Sequence, residues 1–449
     1  MEKLRASYIA KASRGELVGT DVEICGIVRD TREVYEGCLF TAIRGERFDG
    51  HDFVSDAEKS GARAVLVDRR LEGVKVTQIV VSDTVEALGE IAKEYIKTLP
   101  AKRVCVTGSV GKTTTKEMCA AVLGKSFKTH KTDGNYNNNI GLPLTVFGMD
   151  KSHEAAVLEI GTNHFGEILP LAKIASPDIA IITVIGESHL EAFGTKEGVL
   201  REKTEIFSGL SDSGVAILNG DDPLLWGIRN SLKHKAVWFG INNSECDIFG
   251  EIVENTAFSA SFKVRGSDTL FTLTSGGEHN VRNALSAIAT GRVLGMCDCD
   301  IKEGLSSFVN TGMRQKVHEL FGVTVIEDCY NANPESMKAA FSLLSESTCT
   351  GKKICVLGDM LELGENAPLL HKKTGEEASK YADKVFVTGD FAKEYMLGAG
   401  KEKTEIFKNK EALAKRLSEV LTAGDMLLVK GSYGTRMWQV IEYLQGEKE

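Results

Sequence analysis

Thirteen residues, Val104-Cys-Val-Thr-Gly-Ser-Val-Gly-Lys-Thr-Thr-Thr-Lys116, limit the fold of this chain more than any other stretch. The short β-branched run predicts a buried strand, Gly108 and Gly111 a tight turn, and Lys112 onward a helix to about residue 123. A strand, a glycine turn and a helix in that order aim backbone N–H groups and a helix N-terminus at one point, which is an anion site. In such a loop the lysine, Lys112, sets its charge on the β- and γ-phosphates of a nucleotide, and the next hydroxyl, Thr113, reaches Mg²⁺. The match is shorter than G-x-x-x-x-G-K-[ST], because its first glycine would fall at Val106, inside the strand. Alone, the stretch reads either as a nucleotide loop or as a helix start with a glycine turn and a solvated lysine.

With 449 residues the chain has length for roughly three domains. Its net charge of −9 and lack of basic runs with interleaved aromatics argue against nucleic acid as the main partner. The start of the chain shows no apolar signal-peptide core, and no stretch approaches the ~20 apolar residues of a membrane span, so a cytoplasmic protein is expected. Ten cysteines are scattered; the tight pair Cys297-Asp-Cys299 lacks a partner pair at zinc spacing, and reduced thiols are expected throughout.

Three units follow from the order of predicted elements: 1–99, 100–312 and 313–449. The first has a helix over 1–15, β-type runs at 22–28, 38–43, 64–67 and 78–81, and helices over 52–60 and 88–99. Between them lie the turns Asp30-Thr-Arg32 and Arg44-Gly-Glu-Arg-Phe-Asp-Gly-His51. Arginine forks suit phosphates, so the second turn reads equally as an anion pocket or as a solvated loop.

In the second unit, four of the five residues 135–139 are asparagines, too polar for a core and able to hold a phosphate or substrate. Glu159 ends an apolar strand, where open α/β sheets place ligands, and is either an oxygen ligand for Mg²⁺ or an ion-paired strand end. His189 follows another apolar strand, and Arg201-Glu-Lys203 lies on a helix. Asn280 and Asn283 share one face of a later helix, suited to a planar ring such as adenine or to capping. The third unit alternates strands and helices at the spacing of right-handed βαβ units in a parallel sheet. Its polar residues again gather at strand ends: Asp328 to Asn333, Gly358 to Glu362, and Lys430-Gly-Ser432.

Taken in order, Thr107-Gly-Ser-Val-Gly-Lys-Thr-Thr-Thr, Glu159, the His189 turn, the Lys203 helix and His279-Asn-Val-Arg-Asn-Ala284 resemble the Mur ligases of bacterial peptidoglycan synthesis. Asp328-Cys-Tyr-Asn-Ala-Asn-Pro-Glu-Ser-Met337, Val356-Leu-Gly-Asp-Met-Leu-Glu-Leu-Gly364 and the turn 44–51 are similar to the branch that handles D-alanyl-D-alanine. The resemblance implies an α/β protein of three domains: a small N-terminal substrate domain (1–99), a central P-loop-type ATP-binding domain with a mostly parallel sheet (100–312), and a C-terminal Rossmann-like parallel domain (313–449). It implies an ATP- and Mg²⁺-dependent amide ligase, monomeric, joining D-alanyl-D-alanine to UDP-N-acetylmuramoyl-tripeptide through an acyl phosphate. The alternatives are a sister ligase adding a diamino acid to the UDP-dipeptide, or an inactive nucleotide-binding homologue.

By the same resemblance, Thr107, Gly108, Ser109, Val110, Gly111, Lys112, Thr113 and Thr114 would hold phosphates, with Arg314 reaching back to them. Thr113, Glu159 and His189 would hold Mg²⁺, and Lys203 corresponds to a lysine that can be carbamylated. Asn280 and Asn283 would read adenine, and Asp328 the ribose side. Thr31, Arg32, Arg44, Gly45, Arg47, Asp49, Gly50 and His51 would hold the UDP-sugar. Asn137, Asn138, Tyr330, Asn331 and Asn333 would face the remaining substrate. Tyr433 stands after Lys-Gly-Ser where the family often has an arginine, and Arg436 is the substitute within reach in sequence.

Overall fold

The computed structural model describes residues 1–45, 48–310 and 314–446. Three sheets organise the chain, and each is covered by helices. The N-terminal sheet has five strands. Gly26–Val28, Cys38–Thr41, Ala64–Val67 and Thr77–Val80 run parallel, and Glu16–Val18 closes the edge antiparallel. The helix expected over 1–15 is confined to Ala6–Ala12, because Leu4–Arg5 pairs as a short strand with Glu23–Ile24.

The middle sheet has nine strands. Lys102–Thr107, the strand before the glycine turn, lies inside it between Ala155–Glu159 and Ile179–Ile182, parallel to both. All three strands are apolar along their inner length, as a sheet covered on both faces requires. Their C-terminal ends therefore share one edge, which receives Gly108, Glu159 and the His189 turn. Past Lys235–Gly240 the sheet turns antiparallel through Ile248–Asn255, Ala260–Val264 and Leu270–Leu273, a meander that the sequence reading did not anticipate.

The C-terminal sheet has six strands. Five are parallel, and Lys316–Leu320 adds an antiparallel edge. The strand–helix alternation from residue 323 onward matches the expected one closely. Helix Pro334–Glu346, for example, begins at the proline after Asn333, whose side chain caps it.

One apolar core runs from the N-terminal unit into the middle unit. Helix Thr84–Ile96 packs on helices Gly141–Phe147 and Ile168–Ala175, and the Tyr95 hydroxyl donates to Met149 O at 2.7 Å. The middle and C-terminal units share a smaller apolar contact, with Ala257 and Leu190 against the C-terminal core, and meet through polar contacts beside it. His189 Nδ1 lies 2.7 Å from Glu362 Oε2, and Lys196 Nζ 3.0 Å from Glu335 Oε1.

The expectation of reduced thiols fails at Cys297 and Cys299, which the structure joins; the other eight cysteines are free. Cys297 is the extended N-cap of helix Asp298–Ser306 and Cys299 lies in its first turn, which leaves the Cα atoms 5.4 Å apart. Among the described residues no helix is long and apolar enough to cross a membrane.

Candidate active site

The glycine turn is built as tightly as its sequence implies. Gly108 has φ 142° and Gly111 φ 86°; a Cβ on Gly108 would lie 2.0 Å from Thr183 Oγ1, and one on Gly111 2.7 Å from Asn283 Oδ1. The Thr183 hydroxyl donates to Val110 O at 2.5 Å, and Gly186 N donates to Ser109 Oγ at 2.9 Å, so the neighbouring strand end clamps the loop. Helix Lys112–Leu123 starts there and points its N-terminus into a cavity of about 1270 Å³ between the middle and C-terminal sheets.

Ser109, Val110, Gly111, Lys112, Thr113 and Thr114 line that cavity. Lys112 Nζ donates to Gly108 O at 2.8 Å. Burial pushes the Lys112 pKa down, Glu159 opposes this, and Arg314 adds to it. Thr107 does not line the cavity. It is fully buried, and its hydroxyl donates to Ile160 O at 2.9 Å; it ties two strands together below the loop, which corrects its placement among ligand-facing residues. Gly108 likewise lies beneath the lining, where its role is to make room for Thr183.

Glu159 is 2% exposed. Its Oε1 accepts from Asn137 Nδ2 at 2.8 Å, whereas its Oε2 is buried with no hydrogen-bond partner. A buried carboxylate oxygen with no donor is costly unless a cation takes it. The pairing gives Asn137 a task that its sequence neighbour lacks. Asn138 Oδ1 instead accepts from Gly141 N at 2.8 Å and Ile140 N at 3.2 Å at the start of helix Gly141–Phe147.

His189 lines the cavity in a left-handed backbone conformation, φ 52°, and Glu362, which pairs with it from the C-terminal unit, has φ 63°. Lys203 does not line the cavity and is 1% exposed. Burial, then the charge of Lys112, lowers its pKa well below the lysine range. Glu202 is no simple ion partner for it, since its carboxylate accepts from Gly166 N at 2.8 Å and Ile168 N at 2.9 Å.

Asn280 and Asn283 are both buried at the cavity wall. Asn283 Oδ1 accepts from Thr115 Oγ1 at 3.2 Å. Asn280 Nδ2 donates to Gly276 O at 2.8 Å and to Gln315 Oε1 at 2.7 Å, and Gln315 Nε2 donates to Gly276 O at 2.9 Å. Gln315 was missed by the sequence reading, although it follows Arg314. The Arg314 guanidinium carbon sits 3.8 Å from the Tyr330 ring centroid. Asp328 pairs with buried Lys430 at 2.5 Å, so the Lys-Gly-Ser turn serves to hold Asp328.

Asn331 and Asn333 line the cavity, but their amide oxygens are occupied. Asn331 Oδ1 accepts from Ala332 N at 2.8 Å and Asn333 Oδ1 from Ser336 N at 2.9 Å. Tyr433 lines the cavity beside Tyr330, ring centroids 5.9 Å apart, whereas Arg436 does not line it.

The N-terminal candidates lie apart from this cavity, and none of Thr31, Arg32, Arg44, Gly45, Asp49, Gly50 and His51 lines it. Arg47 is outside the described residues. Arg32 forms a fork on Asp30, and Arg44 Nε pairs with Asp68 at 2.9 Å. Thr31 opens the short turn Thr31–Glu33, and a Cβ at Gly50 would lie 2.6 Å from Ile43 N. His51 is corrected from ligand-facing to structural. Its ring is buried, its Nδ1 lies 2.5 Å from Asp49 Oδ1, and its Nε2 accepts from Asp68 N at 3.1 Å.

Three family models match the chain: "Mur ligase family, catalytic domain" over residues 23–96, "Mur ligase middle domain" over 106–291, and "Mur ligase, glutamate ligase domain" over 313–433. With this fold and a phosphate loop facing a second parallel sheet, the chain belongs to the Mur ligase family. Within the family it is 40% identical to the UDP-N-acetylmuramoyl-tripeptide–D-alanyl-D-alanine ligase of Bacillus subtilis and 36% identical to that of Escherichia coli. Each alignment covers 99% of both chains. Its structure is similar to MurF from Acinetobacter baumannii, with TM-score 0.93 and 33% identity over 99% of both chains. It is also similar to the MurF ligase of Thermotoga maritima in complex with ADP, with TM-score 0.84 and 32% identity over 94% of this chain and 97% of that one.

Proposed function

We propose that this chain joins D-alanyl-D-alanine to the terminal carboxylate of UDP-N-acetylmuramoyl-tripeptide at the expense of ATP. The observation that carries the reading is a single cavity in which the phosphate loop of the middle unit faces Arg314, Asp328 and Tyr330 of the C-terminal unit. ATP lies with its phosphates on the loop 109–114 and Lys112, its adenine against Asn280 and Asn283, and its ribose toward Asp328, while Arg314 reaches the phosphates from the opposite wall.

Mg²⁺ fits at Thr113 and Glu159, because hydroxyl and carboxylate oxygens suit a hard cation and Glu159 Oε2 is buried without a donor. His189 would offer Nε2 to a second ion while Glu362 holds Nδ1, the usual support for a ligating histidine. Bound there, the metal supplies charge neutralisation for phosphoryl transfer.

The chain's own groups do the positioning. Lys112 and the loop N–H groups stabilise charge on the transferred phosphoryl. The tripeptide carboxylate becomes an acyl phosphate, the amine of D-alanyl-D-alanine attacks it, and phosphate leaves. Enclosure between two sheets protects the acyl phosphate from water. Burial favours the neutral amine of Lys203, the form that carbamylation requires. The exposed guanidiniums of Arg32 and Arg44 remain reachable for the UDP diphosphate, with Thr31, Gly45, Asp49 and Gly50 shaping the turn and buried His51 bracing it. The units 1–99, 100–312 and 313–449 then act as sugar-nucleotide, ATP and acceptor-side domains, in the cytoplasm where ATP is supplied.

The test is phosphate release from Mg-ATP with the UDP-tripeptide, with and without D-alanyl-D-alanine, alongside mass detection of product. Release that depends on D-alanyl-D-alanine, with UDP-pentapeptide formed, is expected. Product only from a diamino acid and the UDP-dipeptide would overturn the reading.

A further inference from the structure

The ten cysteines are sorted sharply by environment. Cys38, Cys105, Cys119, Cys246, Cys329 and Cys355 are buried. Burial pushes each of these thiols up, Cys119 and Cys246 to about 12, so none supplies thiolate at neutral pH. Cys25 and Cys349 are half-buried, and each donates its thiol to a backbone carbonyl, Glu36 O and Gly351 O. Cys297 and Cys299 are exposed.

The exposed pair is also arranged for exchange. Cys297 caps helix Asp298–Ser306, and its sulfur accepts from Asp300 N at 3.4 Å, so the helix N-terminus favours its thiolate. The adjacent carboxylate of Asp298 is neutralised by Arg292, at 2.7 and 2.9 Å. Asp300 Oδ1 lies 3.8 Å from Cys299 Sγ. The two sulfurs need no backbone movement to meet, because the structure already joins them. The helix that carries them is firmly seated: a Cβ at Gly304 would lie 2.5 Å from Val122 Cα on the helix of the phosphate loop. Neither cysteine lines the nucleotide cavity.

We propose that Cys297 and Cys299 form a reversible dithiol–disulfide site that exchanges with low-molecular-weight disulfides at the solvent face of the middle unit. The Cys297 thiolate attacks one sulfur of the small disulfide, whose S–S bond breaks; a mixed disulfide forms and one small thiolate leaves. Cys299 loses its proton to water and attacks the Cys297 sulfur. The second small thiolate leaves and takes up the proton. Two protein thiols are oxidised to one disulfide, and the small disulfide is reduced to two thiols.

The experiment treats the fully reduced full-length chain with oxidised glutathione, quenches by alkylation, and maps cysteine peptides by mass. A closed 297–299 loop, with the other eight cysteines alkylated under denaturant and the loop reopened by dithiothreitol, is the expected result. Cys299→Ser traps glutathione on Cys297, and Cys297→Ser acquires it on Cys299 several-fold more slowly. The double serine variant resists oxidation and keeps wild-type ATP-dependent ligation. Earlier modification of Cys25 or Cys349, or stable glutathionylation of Cys297 without loop closure in the wild type, would refute the proposal.

Discussion

Asn137→Ala removes one hydrogen bond and little else, and its effect can be worked from the geometry. Asn137 Nδ2 holds Glu159 Oε1 at 2.8 Å, and the other carboxylate oxygen has no partner in the protein. The substitution leaves a carboxylate that is 2% exposed with neither oxygen fixed. A hydrogen bond to a charged group contributes about 1.5–3 kcal/mol, or roughly 10- to 100-fold in an equilibrium at ~1.4 kcal/mol per decade, and removing a residue that orients a metal ligand commonly costs a similar factor. The half-saturating Mg²⁺ concentration for phosphate release should therefore rise by about 10- to 100-fold, with maximal rate partly recovered at high Mg²⁺. The neighbouring Asn138→Ala serves as the control. It loses a cap worth about 1 kcal/mol and lowers the melting temperature without moving the Mg²⁺ curve. If Asn137→Ala saturates with Mg²⁺ like the wild type, Glu159 is not a metal ligand held by Asn137, and the cation site must be redrawn.

If Lys112 serves the phosphates as proposed, Lys112→Met should lower the phosphate-release rate at least about a hundredfold, since the loop lining holds no second basic side chain; calorimetric ADP titration separates lost binding from lost turnover. Gly111→Ala places a Cβ 2.7 Å from Asn283 Oδ1 at φ 86°, so about 1–2 kcal/mol of backbone strain adds to displacement of Asn283. The rise in melting temperature on adding ADP should shrink or vanish, and an undiminished rise would count against the loop geometry. Asp221 accepts from the N–H groups of Ile241, Asn242 and Asn243 and from Arg282. Burial pushes its pKa up, but these donors outweigh it and the net value lies below the usual carboxylate. Its folded pKa is thus below its unfolded one, so its stabilisation is complete above about pH 4 and lost as pH falls through the folded pKa. Asp221→Asn should cost about 2–3 kcal/mol at pH 7 in urea melts and lose less than the wild type between neutral and acid pH.

Much of the site was legible because its chemistry needs particular residue types at fixed local spacing. Gly108, Gly111 and Lys112 are set by the turn itself, and Glu159 by its place at the end of an apolar strand. What failed was the division of labour among polar residues that look alike in sequence. Asn137 and Asn138 are neighbours, yet one holds a carboxylate and the other caps a helix. His51 and His189 both sit in polar turns, yet only His189 faces the cavity; His51 lies in the N-terminal unit apart from it, its ring held by Asp49 and the Asp68 N–H. Asp221 and Asp222, just past the end of an apolar strand, are engaged by backbone N–H groups.

The sequence by itself determined the parallel α/β class, the phosphate loop and the alternation after residue 323, since each rests on contacts within a few residues along the chain. The tertiary structure alone decided that Arg314, Asp328 and Glu362 face the loop of another unit. It alone decided that Gln315 joins Asn280, that Lys430 serves Asp328, and that the middle sheet ends in an antiparallel meander. Those arrangements depend on residues far apart in sequence meeting at one sheet edge, and no local spacing encodes which partner a polar side chain will find there.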